Sequence, residues 1–100
     1  MHSQRAEACA VALGDKIYVS GGNDETNCLS SCEVFDPRGE SFTMLRMEMC
    51  GKRRGACAAA VAESVFIFGG MDGDFNSLFS CEIFLPLAAA VQSWMSCALK

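Results

Sequence analysis

Two apolar runs of the same form organise the chain: Ile17-Tyr18-Val19-Ser20-Gly21-Gly22 and Val65-Phe66-Ile67-Phe68-Gly69-Gly70. Each is rich in β-branched and aromatic side chains and ends in a glycine pair. That pattern predicts a buried strand followed by backbone free to take positive φ. Gly21 and Gly69 lie 48 positions apart. A period of this size belongs to repeat architectures, so the chain reads as two copies of one unit.

The elements of the first copy follow in order. Ala6 to Leu13 is small and apolar, and Gly14-Asp15 then makes a two-residue turn into Lys16 to Ser20, which predicts strand, hairpin and strand. Asn23 to Ser30 is polar and turn-forming, hence a loop. Cys32-Glu33-Val34-Phe35 alternates as a third strand should, and Asp36-Pro37-Arg38-Gly39 closes a tight turn into a short fourth strand, Phe42 to Leu45. Met47 to Arg53 is an exposed connection. The second copy repeats these elements: Cys57 to Ala62, Val65 to Phe68, the polar loop around Asp72-Gly73-Asp74, and Cys81-Glu82-Ile83-Phe84. The last match comes 49 positions after Cys32, so one residue has been added in the loop, where insertions cost little. Leu87 to Val91 then places apolar residues where the first copy has a polar turn, and Trp94 arrives late. The prediction is an all-β chain of two four-stranded antiparallel units.

An apolar quartet, a double glycine and two spaced aromatics resemble the Kelch repeat, the unit of one class of β-propeller. In the first copy the aromatics are Phe35 and Phe42, seven apart; in the second they are Phe84 and Trp94, ten apart. Ser20 departs from the apolar quartet. The arginine that usually opens the family's first strand is matched by Arg5 and by either Arg53 or Arg54, and the acidic residue of its third strand by Glu33 and Glu82. The resemblance implies that these arginines and glutamates pair. It also implies two propeller blades, 5–51 and 52–98, with Gly21, Gly22, Gly69, Gly70, Phe35, Phe42, Phe84 and Trp94 as structural positions. A ring needs about four to eight blades. Two cannot close one, so the expectation is a fragment, a misread frame or an assembling protomer, whose exposed blade edges and faces favour self-association.

Composition narrows the chemistry. The formal net charge is −4, which does not supply the basic face that nucleic-acid binding depends on. Lys52-Arg53-Arg54, with Arg46 nearby, is the only basic cluster and reads as a solvated turn. No apolar run approaches the length needed to span a bilayer, so no membrane role is expected. Seven cysteines cannot all pair within the chain, which argues against a disulfide framework and for a reducing, cytoplasmic or nuclear location. Cys28 and Cys32 lie four apart, but zinc needs about four ligands and His2 is the only histidine. Cys9 with Cys57, and Cys32 with Cys81, occupy matching positions and read as small buried packing residues. No calcium loop, phosphate loop or nucleophile elbow is present, so no cofactor, metal site or catalytic residue is expected. Tyr18 reads as core. Met44, Met47 and Met49 with Leu45 suit either a partner surface or packing against the adjacent blade.

In an antiparallel meander, connections alternate between the two ends of the sheet. Residues 23–30, 46–55 and 71–79 are therefore expected on one rim, with Gly14-Asp15, Asp36 to Gly39 and Ala62-Glu63 opposite. Loops on a rigid scaffold are where recognition concentrates. The partner-binding candidates are Asn23, Asp24, Glu25, Lys52, Arg53, Asp72, Asp74 and Phe75. The leading expectation is a non-enzymatic protein-interaction module. The family resemblance implies a ubiquitin-ligase substrate adaptor or an actin-binding type. The alternatives are a blade pair from a propeller enzyme of oxidase or sugar-epimerase type, with its catalytic residues elsewhere, and a non-functional fragment.

Overall fold

The structure is a computed structural model that describes residues 4–45 and 48–85, and the backbone of residues 94–98. The described residues form eight strands: β1 (Cys9–Leu13), β2 (Lys16–Ser20), β3 (Cys32–Asp36), β4 (Ser41–Met44), β5 (Cys57–Val61), β6 (Ser64–Phe68), β7 (Ser80–Phe84) and β8 (Trp94–Ala98). They make two four-stranded antiparallel sheets, β1-β2-β3-β4 and β5-β6-β7-β8. These are the two blades the repeat predicts, side by side, with no closed ring.

Register follows the repeat closely. Phe35 faces Phe42 across β3 and β4, with ring centroids 4.7 Å apart. Phe84 faces Trp94 across β7 and β8, so the longer spacing of the second aromatic pair leaves the backbone pairing intact. The residues that make up the difference in spacing, 86–93, lie outside the described set.

Two expectations need correction. β1 begins at Cys9 rather than Ala6, because Glu7 turns the chain at φ 57 and Ala6 makes only an isolated bridge to Asn23. Cys81 is disulfide-bonded, so the cysteines are not uniformly reduced. The residue facing it in register is Cys97.

The core lies between the blades. Cys9, Tyr18, Cys32, Leu45, Met49, Val65, Ile67 and Phe84 form one buried cluster, and Tyr18 meets Phe84 edge to face at 5.8 Å between centroids. Tyr18 is thus a core residue. Of the methionine group, Met49 packs between blades while Met44 is exposed; Met47 lies outside the described residues. Burial pushes the Cys9 and Cys32 thiols up to about 11, as expected of small residues removed from water.

The glycine pairs close β2 and β6 and set up the contact between blades. Gly21, Gly22, Gly69 and Gly70 all have positive φ, at 66°, 91°, 63° and 83°. Gly22 and Gly70 each lie against the start of their own blade: an added Cβ would stand 2.6 Å from the carbonyl oxygen of Ala6 or Arg54 respectively. Gly21 differs from its counterpart. A Cβ there would stand 2.4 Å from the Arg53 carbonyl oxygen, which belongs to the start of the second blade, whereas at Gly69 the nearest atom is the Leu78 carbonyl oxygen at 3.6 Å.

Candidate functional site

Each glycine pair leads into a loop that folds on its own aspartate. The Asp24 Oδ1 accepts hydrogen bonds from the backbone N–H groups of Asn27 (2.8 Å) and Thr26 (3.1 Å). The Asp72 Oδ1 accepts from those of Asp74 (2.9 Å) and Asn76 (3.0 Å). These donors favour the ionised form and hold both carboxyls below the usual carboxylate range; the N–H of Asn27 contributes most at Asp24 and that of Asn76 most at Asp72. Bridges Asn23↔Cys28 and Met71↔Ser77 tie the loop ends. The loops are therefore built features of each repeat.

These loops and the connection between blades surround a groove of about 630 Å³. Asn27 and Cys28 line it from the first blade, Gly51 and Lys52 from the connection, and Asp72 and Asp74 from the second blade. Four of the candidate residues, Lys52, Arg53, Asp72 and Asp74, thus line one groove. Asn23, Asp24 and Glu25 line a separate depression of about 390 Å³ beside Gln4 and Ala6. Phe75 belongs to neither.

Phe75 sits at a loop apex with φ 64 and is well exposed. The Arg54 guanidinium carbon lies 4.4 Å from its ring centroid, within cation–π range. Arg54 Nη2 also stands 3.6 Å from Glu7 Oε1, and Asn23 Nδ2 donates to the same oxygen at 3.2 Å. Arg54 therefore links the start of the first blade to the loop of the second. Sequence reading did not single it out for the rim.

Arg53 lines the groove but is 3% exposed, and its guanidinium is engaged inside its own blade. Its Nε donates to Glu82 Oε2 at 2.9 Å, its Nη1 to the carbonyls of Gly69 (2.9 Å) and Ser80 (3.0 Å), and its Nη2 to Ser80 Oγ (2.6 Å). Glu82 also accepts from the backbone N–H groups of Cys50 and Gly51. The first blade has the same arrangement: Arg5 donates to Glu33 at 3.0 Å, to the carbonyls of Gly21 and Ser31, and to Ser31 Oγ. Both arginine–glutamate pairs implied by the resemblance are present, and the open choice between Arg53 and Arg54 falls on Arg53. The repeat itself held the signal, since Arg53 follows Arg5 by the same 48 positions as Gly69 follows Gly21.

Residues 4–46 match the family model of the Kelch motif. The match spans the whole of the first blade. The Kelch pattern of glycine pair, buried arginine–glutamate pair and facing aromatics recurs in the second blade, as the geometry above shows. A solved structure titled "Structure of YjhT" superposes with a TM-score of 0.81 at 15% identity, over 96% of this chain and 38% of that one. At that identity the likeness speaks to fold alone, and the fold is that of Kelch-type propeller blades. The chain spans well under half of that structure's length. No curated protein matches the sequence.

Among the described residues, no three His, Cys, Asp or Glu side chains stand close enough to hold a metal ion. The turns at Gly14-Asp15 and Ala62-Glu63 lie together around a smaller depression with Leu13, Lys16 and Tyr18.

Proposed function

We propose that this chain is part of a protein-interaction module that binds its partner at the groove between the two loops and the inter-blade connection. One observation carries the reading: segments far apart in sequence converge on a single polar concavity, and the exposed charges of Lys52 and Asp74 stand at its edge. A concave site with a few placed polar groups on a rigid scaffold is the usual form of a recognition surface. The candidates at the groove are Lys52, Arg53, Asp72 and Asp74; Asn23, Asp24 and Glu25 in the separate depression, and Phe75 under the Arg54 guanidinium, lie outside it. Asp24 and Asp72 shape their loops, whereas Lys52 and Asp74 make the direct contacts. Substrate presentation to a ubiquitin ligase and actin binding are the two roles this reading accommodates, in the cytoplasm or nucleus.

A phage-displayed random peptide library selected on the wild-type chain tests the site. Selected peptides should lose binding to the double variant Lys52→Glu, Asp74→Lys and keep it with Lys16→Glu, which changes the opposite end. Peptides indifferent to the rim variant, or lost on Lys16→Glu, would overturn the reading.

A further inference from the structure

One aromatic position differs between the blades by a single polar atom. Tyr18 pairs with Val11 across β1 and β2, and 48 positions later its counterpart Phe66 pairs with Ala59 across β5 and β6. Phenylalanine therefore meets what the strand requires at this place. The phenol oxygen of Tyr18, the only tyrosine of the chain, is an addition. Tyr18 is 8% exposed and its ring is engaged by Phe84, yet among the described residues no group hydrogen-bonds its hydroxyl. A tyrosine as buried as this ordinarily finds a partner for its O–H.

The hydroxyl faces open space. Tyr18 lines the depression of about 340 Å³ between the Gly14-Asp15 and Ala62-Glu63 turns, and its oxygen keeps access to solvent. Burial, and after it the nearby Asp15 carboxylate, hold the phenol above its ordinary pKa, so at neutral pH it remains a donor. Leu13 and the tyrosine ring give the depression apolar walls. Charge at its mouth balances: Asp15 is paired with Arg38 at 3.4 Å, and Lys16 and Glu63 carry opposite signs. An ion of either sign meets no net attraction there. The volume lies at the small end of cavities that hold small molecules.

We propose that this depression binds a compact uncharged small molecule, which presents a carbonyl oxygen to the Tyr18 hydroxyl and an apolar body to Leu13 and the tyrosine ring. The Tyr18 O–H donates to that oxygen, the bond the fold itself does not supply. Selectivity follows from the same atom. A ligand with the acceptor satisfies the hydroxyl, whereas one of similar shape without it displaces water and leaves the hydroxyl unpaired. The site lies at the end of the blades opposite the groove and does not depend on what the groove binds.

NMR titration of the nitrogen-15-labelled chain with benzamide, a neutral ring carrying a carbonyl acceptor, tests the site. Toluene, which has the ring and no acceptor, is the comparison. Benzamide should shift the backbone amide signals of Gly14, Lys16 and Glu63 saturably, and toluene should bind the wild-type chain at least threefold more weakly. Tyr18→Phe should weaken benzamide binding by about threefold or more, the worth of one hydrogen bond, and bring it level with toluene. The same variant should keep the wild-type urea midpoint, since the hydroxyl has no partner in the fold. No saturable benzamide shift at these residues, equal binding of benzamide and toluene by the wild-type chain, undiminished benzamide binding by Tyr18→Phe, or a lowered midpoint for that variant would overturn the proposal. The comparison of the two ligands on the wild-type chain decides the matter without any variant.

Discussion

Arg53 and Glu82 form an ion pair of 2.9 Å in which the arginine side chain is 3% exposed and the glutamate 0%. The pair sits where the blades join: Arg53 binds its own blade through the guanidinium and the preceding blade through its carbonyl, which accepts from Gly22. Removing two charges from water is costly, and here every donor direction of Arg53 that reaches the interior has an acceptor. Loss of one partner leaves the other buried and unpaired. Glu82→Ala should therefore cost about 3–5 kcal/mol, comparable with the whole stability of a marginal domain. The double change Arg53→Met, Glu82→Leu should cost less than the sum of its parts, as urea titration of the three variants will show.

Gly21 and Gly69 share a backbone conformation and differ in surroundings, which separates strain from packing. Alanine at either must adopt positive φ, at about 1–2 kcal/mol. Only at Gly21 does the new Cβ also strike the Arg53 carbonyl oxygen. Gly21→Ala should lose at least about 1 kcal/mol more than Gly69→Ala, in line with other overpacked sites. Gly69→Val should in turn cost more than Gly73→Ala, since Gly73 lacks positive φ and meets only the Cys28 side chain at 3.4 Å. Equal midpoints for Gly21→Ala and Gly69→Ala would show that the blades are not in contact there.

Ala62 occupies the hairpin position that Gly14 holds in the first blade, at φ 55 against 63. An L-residue pays for that conformation and glycine does not. Ala62→Gly should raise stability by about 0.5–1 kcal/mol after the entropy of the freer unfolded chain is counted. Gly14→Ala should lower it; nothing lies within 4 Å of an added Cβ there, so the loss reports backbone strain alone.

Cysteine burial predicts both reactivity and alkaline behaviour. Cys57 is exposed, while Cys9 and Cys32 are buried and their thiols stay protonated to about pH 11. At pH 8, iodoacetamide should modify Cys57 quickly and Cys9 and Cys32 only after unfolding, as peptide mass spectrometry will show. A raised folded pKa stabilises the neutral form, so this contribution is intact below the ordinary thiol value of about 8.5 and is lost as pH climbs toward 11. The urea midpoint should fall across that window. Cys9→Ala, Cys32→Ala should flatten the decline.

How much of this was legible in the sequence depends on which interaction fixes each residue. β2 and β6 are plain because β-branched and aromatic residues run up to a glycine pair, and the facing of Phe35 and Phe42 follows from a short turn. Arg53 and Arg54 are neighbours of one type, and successive residues of extended chain face opposite ways, so composition cannot tell the inward from the outward one; the 48-residue offset can. Reading the basic cluster as solvated therefore misplaced Arg53. The Arg54–Phe75 contact depends on the path of two loops, which no local pattern specifies. The Cys81 disulfide escaped because an odd cysteine count limits the total number of pairs but says nothing about any one of them.

The central claim is that two equivalent blades lie side by side, with the first edge covered by the second blade and no such cover on the second edge among the described residues. Amide hydrogen exchange by NMR, at a concentration where the chain is monomeric, reads this at four glycines. Gly21 and Gly69 both donate within their own blades, to the carbonyls of Ser31 and Ser80, and serve as matched controls that should be protected alike. Gly22 donates across to Arg53, and Gly70 has no such segment beside it among the described residues. The account predicts strong protection at Gly22 and rapid exchange at Gly70; equal exchange at the two would contradict it.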